Sequence, residues 1–282
     1  MRRFRYVLID VFTDTPLAGN QLAVFTDARD LDALTMQALA KETNFSETVF
    51  VLPPRVADAD VRIRIFTPGT ELPFAGHPTL GAAFVLGGPL QKIVLRLETD
   101  AGVVPVELER EGARIAFGWM EQPIPRWRTV ERTEELFAAL GVSGSVLPVE
   151  EYAIGPSHLF VELGSPEQVA SLAPDFAALG RLTAAGANCF ARDGSVWKLR
   201  AFFSGIGISE DPATGSAAGP LAIHLARHGR IAFGEEIEIH QGAEIGRPSK
   251  LFAQAHGSAE RIERVRVGGS AVIVARGEFS VP

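Results

Sequence analysis

Two short stretches of this chain match each other almost half a chain apart. Glu71-Leu-Pro73-Phe-Ala-Gly76-His77 aligns with Glu210-Asp-Pro212-Ala-Thr-Gly215-Ser216, so that Glu210 stands 139 positions after Glu71 in a chain of 282 residues. Each stretch follows a β-like run that ends near Phe66 or Phe203. Each is followed by a segment that is apolar nearly all round, Pro78–Leu86 in one case and Ala217–Ala226 in the other. The same order of elements at a half-chain offset points to duplication. A helix without a polar face has to be buried on every side. The pattern therefore predicts an α+β fold of two pseudo-symmetric halves, each with a curved sheet wrapped round a central apolar helix. Pro78 suits the first helical position, and Gly87 and Gly229 suit the two C-terminal stops.

The rest of the sequence reads mostly as strands. Phe4–Phe12, Gln21–Thr26, Thr48–Leu52, Arg62–Phe66, Lys92–Glu98, Val103–Arg110 and Arg114–Met120 form the first series. His158–Leu163, Ala187–Arg192, Trp197–Phe203, Glu236–His240, Arg247–Ala255, Arg264–Val267 and Ala271–Phe279 form the second. Arg62-Ile-Arg-Ile65 alternates, which predicts one wet face for that strand. Leu31–Glu42 reads as an amphipathic helix with Leu31, Leu34, Ala38 and Leu39 on its apolar face, and Glu131–Leu140 as a helix stopped by Gly141. The proline-bearing segment Glu121–Trp127 marks the boundary. The expected domains are 1–125 and 126–282, with the last strand free to pack back on the first half.

Composition excludes several classes of function. Apolar residues make up 46% and charged residues 22%, which supplies ample core. The net charge of −7 lacks the basic footprint of a nucleic-acid binder. The single cysteine, Cys189, rules out an intrachain disulfide and a Cys-cluster metal site. No apolar run has the ~20 residues of a membrane helix, and Tyr6–Ile9 is too short for the apolar region of a signal peptide. The expectation is a cytoplasmic protein that binds neither membrane nor nucleic acid. No G-x-G-x-x-G, P-loop or G-x-S-x-G pattern is present, so neither nicotinamide, ATP nor serine-hydrolase chemistry is indicated.

Candidate chemistry gathers at the repeated turns. A helix N-terminus offers unpaired N–H groups, and glycine lets a ligand come close, so Gly76-His77 and Gly215-Ser216 are cradles for an oxyanion or carboxylate. The plainer alternative is ordinary capping, with Ser216 as N-cap. Two such turns at matched positions favour a ligand carboxylate held in a cleft between the halves. Glu47 enters an apolar strand, where burial would raise its pKa toward general acid/base use; taken alone it reads rather as a rim residue capping the strand. His77 is a proton shuttle or a helix-capping residue. His224 and His228 have the i, i+4 spacing of a zinc helix but no evident third ligand, so no metal is expected. Cys189 reads as a buried structural thiol.

Four motifs taken together, Asn20-Gln-Leu-Ala-Val-Phe, Asn44-Phe-Ser-Glu47-Thr, Glu71-Leu-Pro-Phe-Ala-Gly-His77-Pro and Glu210-Asp-Pro-Ala-Thr-Gly-Ser216-Ala-Ala-Gly, resemble those of the PhzF family. The resemblance runs from Tyr6 to about Gly277. It implies a diaminopimelate-epimerase-like fold, usually found as a homodimer, that acts without a cofactor on a small cyclic amino acid. In phenazine biosynthesis the family's isomerase moves a proton from C3 to C1 of trans-2,3-dihydro-3-hydroxyanthranilate. By the same resemblance Glu47 is the acid/base, His77 and Asp211 complete the catalytic set, and Gly76, Gly215 and Ser216 bind substrate. The epimerase relatives carry a cysteine in each half. The two turns here carry none, which disfavours two-thiol racemisation. A different PhzF-like isomerase or epimerase, and a non-catalytic binder, are the competing readings.

Overall fold

A computed structural model of the chain describes residues 2–281. The chain forms two compact units. One runs to Glu121 and resumes at Gly268, and the other covers Gln122–Val267.

The first unit is built from β1 (Arg2–Val11), β2 (Asn20–Phe25), α1 (Ala33–Thr43), β3 (Glu47–Leu52), β4 (Val61–Phe66), β5 (Glu71–Leu72), α2 (Gly76–Leu90), β6 (Val94–Thr99), β7 (Gly102–Glu111) and β8 (Arg114–Gln122). β2 and β3 run parallel, and so do β4 and β6. The pairs β1–β2, β3–β4, β4–β5, β6–β7 and β7–β8 are antiparallel. α2 is buried from Gly76 to Gly87 and lies against β1, β2, β3, β6 and β7. The sheet wraps the helix because α2 has no polar stripe to show to water.

The second unit repeats this plan. β9 (Arg126–Thr129) and α3 (Glu134–Leu140) precede β10 (Glu150–Ala153), β11 (Ser157–Glu162), α4 (Pro166–Ala170), α5 (Phe176–Leu182), β12 (Gly186–Asp193), β13 (Val196–Phe203) and β14 (Ile208–Asp211). There follow α6 (Gly215–Arg227), β15 (Glu236–Gln241), β16 (Ser249–Gly257), β17 (Ile262–Gly269) and β18 (Ala271–Val281). β11–β12 and β13–β15 are parallel, and β10–β11, β12–β13, β13–β14 and β15–β16 antiparallel. α6 is buried from Gly215 to Ala226 and packs on β16 and β11. The matched pairing gives a residue-by-residue equivalence. Ile65 faces Leu72 as Ala201 faces Asp211, and Thr48 faces Phe66 as Ala187 faces Phe202. Glu47 therefore corresponds to Gly186.

The two repeats exchange their last strands. β9 follows the first repeat in sequence but pairs with β10 in the second unit. β18 closes the second repeat but pairs with β1 along its whole length, from Arg2–Val281 to Val11–Ala271. The expected division into 1–125 and 126–282 is corrected accordingly. The cut falls after Glu121, and everything from Gly268 onward belongs with the first unit.

Three local expectations also change. α1 starts one residue after Asp32, whose side chain accepts from Thr35 N at 2.8 Å. That start turns Met36, Leu39 and Ala40 inward and leaves Ala38 exposed and Leu34 83% exposed. Gly87 does not stop α2. The helix continues to Leu90 and ends at Gln91 in the left-handed region (φ 52°). Gly87 is small because a Cβ there would lie 2.3 Å from Leu108 Cδ1 on β7. The arginine face of β4 is covered by carboxylates rather than water: Arg64 forks onto Glu71, and Arg62 approaches Glu98 and Asp100.

Candidate active site

In the first unit, the side chain of Glu47 at the head of β3 is 13% exposed, and its Oε2 lies 3.4 Å from Nε2 of His77, the second residue of α2. A chain of amides and hydroxyls sets the imidazole. Ser46 Oγ donates to Asn20 Oδ1 at 3.2 Å, which turns Asn20 Nδ2 toward His77 Nδ1 at 3.3 Å. The Asn20 amide and the Gln21 backbone together hold the ring in place, with Nε2 on the Glu47 side. Burial pushes the His77 pKa down to about 3, against a smaller opposing hydrogen bond with the Gln21 backbone. The imidazole is thus neutral near neutral pH.

In the second unit, Asp211 ends β14, and Thr214 Oγ1 donates to its Oδ2 at 2.6 Å. Because its hydroxyl is engaged there, Thr214 makes no side-chain cap on α6 although it occupies the N-cap position. Ala75, the N-cap of α2, makes none either. Ser216 is the second residue of α6, so the expected alternative of an N-cap serine is not what this helix uses. Gly76 and Gly215 each open a buried helix whose first turn receives no capping side chain, the arrangement that suits an anionic group. Gln122 Nε2 donates to the carbonyl of Gly215 at 2.8 Å.

The acid that opens each repeated turn has a structural task. Arg64 Nε and Nη2 meet the two oxygens of Glu71 at 2.6 Å each, and Arg200 Nε and Nη2 meet those of Glu210 at 2.8 and 2.7 Å. Arg64 and Arg200 are equivalent positions on β4 and β13. The fork of two parallel bonds fixes the turn that leads into each central helix. Sequence inspection missed these arginines because they lie outside the matched motif.

The histidine pair on α6 does have a third potential ligand. Glu150 on β10 brings its Oε2 to 3.0 Å from His224 Nδ1 and 3.3 Å from His228 Nε2. That same oxygen also receives Arg227 Nη1 and the Tyr152 hydroxyl, each at 2.7 Å. A guanidinium in that place repels a cation, so the group reads as a buried ionic staple between β10 and α6. Burial would raise the Glu150 pKa, but bonds from His224 and Tyr152 and the charge of Arg227 hold it at about 2. Cys189 is fully buried on β12, and burial pushes its thiol up to about 12 despite the charge of Arg200, so it is no nucleophile at neutral pH.

The sequence belongs to a recognised set. The family model described as "Phenazine biosynthesis-like protein" matches residues 9–277. Trans-2,3-dihydro-3-hydroxyanthranilate isomerase of Pseudomonas aeruginosa is 51% identical over 97% of this chain and 98% of its own length, and the protein of that name from Pseudomonas fluorescens is 52% identical over 96% and 98%. Among solved structures, the PhzF-family phenazine biosynthesis protein of Bacillus anthracis superposes with a TM-score of 0.86 at 27% identity over the whole of both chains. A hydroxyproline epimerase from Agrobacterium vitis, with bound trans-4-hydroxy-L-proline, shares the fold alone (TM-score 0.71, 11% identity, 99% and 91% coverage). The duplicated α+β scaffold, the motifs at Asn20, Glu47, His77 and Asp211, and these matches together make the chain a member of the phenazine biosynthesis-like PhzC-PhzF family.

Proposed function

We propose that this protein is an isomerase that moves a proton from C3 to C1 of trans-2,3-dihydro-3-hydroxyanthranilate. Its identity to relatives of that name covers nearly the full length of both chains. The structural observation that carries the mechanism is the asymmetry of the repeat. Glu47 has Gly186 as its counterpart, and a Cβ on Gly186 would lie 2.3 Å from the ring of Phe203. At this pair of equivalent positions only the first half carries a carboxylate, which supports Glu47 as a single proton carrier.

In this reading the Glu47 carboxylate takes the C3 proton, which the adjacent conjugated system makes acidic. The electron pair left at C3 shifts through the double bonds toward C1. The same carboxyl group, now protonated, returns its proton at C1, and the enol left behind tautomerises to the ketone. One base serves both carbons because they lie on one face of the ring. Neutral His77 packs beside the carboxylate at 3.4 Å. By the family resemblance, Asp211 holds the substrate amine or hydroxyl, and Gly76, Gly215 and Ser216 bind substrate. The reaction as written needs no cofactor. By the family resemblance the enzyme acts as a homodimer in the cytoplasm, which light scattering and cell fractionation would check.

The test is incubation of the purified protein with trans-2,3-dihydro-3-hydroxyanthranilate in heavy water, followed by substrate absorbance and by mass spectrometry of the product. Loss of substrate with deuterium at C1 below one full equivalent supports a single carrier that returns part of the abstracted proton. No turnover of this compound, with deuterium uptake into another amino or hydroxy acid, would favour the alternative of a different PhzF-like isomerase or epimerase.

A further inference from the structure

We infer that Gln241 is a positioning residue that directs the Thr214 hydroxyl proton onto Asp211 and so fixes the substrate-binding carboxylate. The inference rests on the role proposed above for Asp211. Gln241 ends β15, is 2% exposed, and places its amide against the turn that opens α6. Its Oε1 accepts from Thr214 N at 3.0 Å. Its Nε2 donates to the Asp211 carbonyl at 2.7 Å and to Thr214 Oγ1 at 2.9 Å.

The direction of every bond in this set is determined. A backbone N–H can only donate, so the amide must present its oxygen to Thr214 N and its nitrogen to the two acceptors. A hydroxyl that receives a hydrogen bond from an amide N–H must turn its own proton elsewhere. Here the acceptor at 2.6 Å is Asp211 Oδ2. Thr214 and Asp211 are themselves buried, at 3% and 7% exposure. In a buried site the alternative orientation would put two donors, or two acceptors, face to face. Gln241 therefore acts at one remove. It touches no reacting atom, but it selects the one hydroxyl rotamer that holds Asp211 as a hydrogen-bonded carboxylate.

The test compares Gln241→Glu, Thr214→Val, Thr214→Ser and Asp211→Asn in steady-state turnover of trans-2,3-dihydro-3-hydroxyanthranilate, with melting temperatures to check folding. Gln241→Glu keeps the acceptor for Thr214 N but replaces the donor by a carboxylate oxygen, which draws the Thr214 proton away from Asp211. Gln241→Glu and Thr214→Val should each lower kcat/KM about 10- to 100-fold, the loss of one hydrogen bond to a charged group. Thr214→Ser should stay within about threefold of the parent. The deciding measurement is the double mutant. In the Asp211→Asn background Gln241→Glu should add less than about threefold, whereas a purely structural role would cost the same in both backgrounds. Parental turnover in Gln241→Glu beside an impaired Asp211→Asn, or an undiminished penalty in the double mutant, overturns the inference alone. Parental turnover in Asp211→Asn overturns the assigned role of Asp211, and the inference with it. If Gln241→Glu does not fold, the contrast between Thr214→Val and Thr214→Ser, in both Asp211 backgrounds, decides the matter.

Discussion

Nε2 of His77 stands 3.4 Å from Oε2 of Glu47, and burial keeps that histidine neutral at any pH where the enzyme would work. The pair is a neutral imidazole beside a base, not an ion pair. Replacement of the base by an amide of the same shape removes the proton carrier and leaves the packing intact. Glu47→Gln should lower kcat by roughly 10²- to 10⁴-fold with an unchanged circular dichroism spectrum. Turnover within about threefold of the parent would remove Glu47 from the mechanism.

Asn20 Nδ2 lies 3.3 Å from His77 Nδ1 and helps to hold the ring beside Glu47. Asn20→Ala should lower kcat by about tenfold, the loss of one hydrogen bond, with an unchanged circular dichroism spectrum. A kcat within about twofold of the parent would mean that Asn20 does not hold the ring.

Stability should decline with acid. His77 and His158 are both fully buried, and burial holds each pKa at about 3 against 6.5 for an unperturbed imidazole. Between those values the unfolded chain binds protons that the folded chain does not. Unfolding free energy thus rises with pH across this window and is fully present above about 6.5. Each histidine should contribute a slope of about 1.4 kcal/mol per pH unit. Urea titrations at pH 5 and pH 7 measure the slope, and His158→Gln should reduce it. An unchanged midpoint between the two pH values would mean that these rings are protonated in the fold.

The two arginine forks should differ in strength because they differ in burial. Arg200 and Glu210 are 8% and 7% exposed at their side chains, Arg64 and Glu71 17% and 31%. Glu210→Gln leaves a buried guanidinium without its counter-charge and should cost about 3–5 kcal/mol. Glu71→Gln, with more solvent to screen it, should cost about 1 kcal/mol. Chemical denaturation of the two variants checks the order.

Gly87→Ala tests why α2 runs past its expected stop. The added methyl meets Leu108, so the variant should lose about 1–3 kcal/mol of stability with kcat unaffected once folded.

Much of the scaffold was legible because apolar helices and a repeated turn are local signals. Gly76 and Gly215 marked both central helices correctly, and most strands lie within a few residues of their expected places. What failed was whatever depends on a distant neighbour. Leu34 looked apolar-faced until the Asp32 cap fixed the phase of α1. Gly87 looked like a stop because sequence does not show Leu108 across the interior. Arg62 and Arg64 looked wet because their carboxylate partners come from other elements. In the candidate site, Glu47, His77 and Asp211 stand in recognisable motifs. Asn20 lies in a quoted motif too, but its contact with His77, on another element, shows only in the coordinates. Gln241 shows no role in the sequence: an amide at the end of a strand is ordinary until the turn at Thr214 is seen against it.

The strand exchange has a consequence for synthesis on the ribosome. β1 leaves the exit tunnel before the second unit, and its partner β18 leaves it after, with the whole of that unit made in between. The unit started earlier is therefore the one completed later. Until then the β1 edge opposite β2 stays open, an adhesive template for stray strands during the interval when the nascent protein most depends on chaperones.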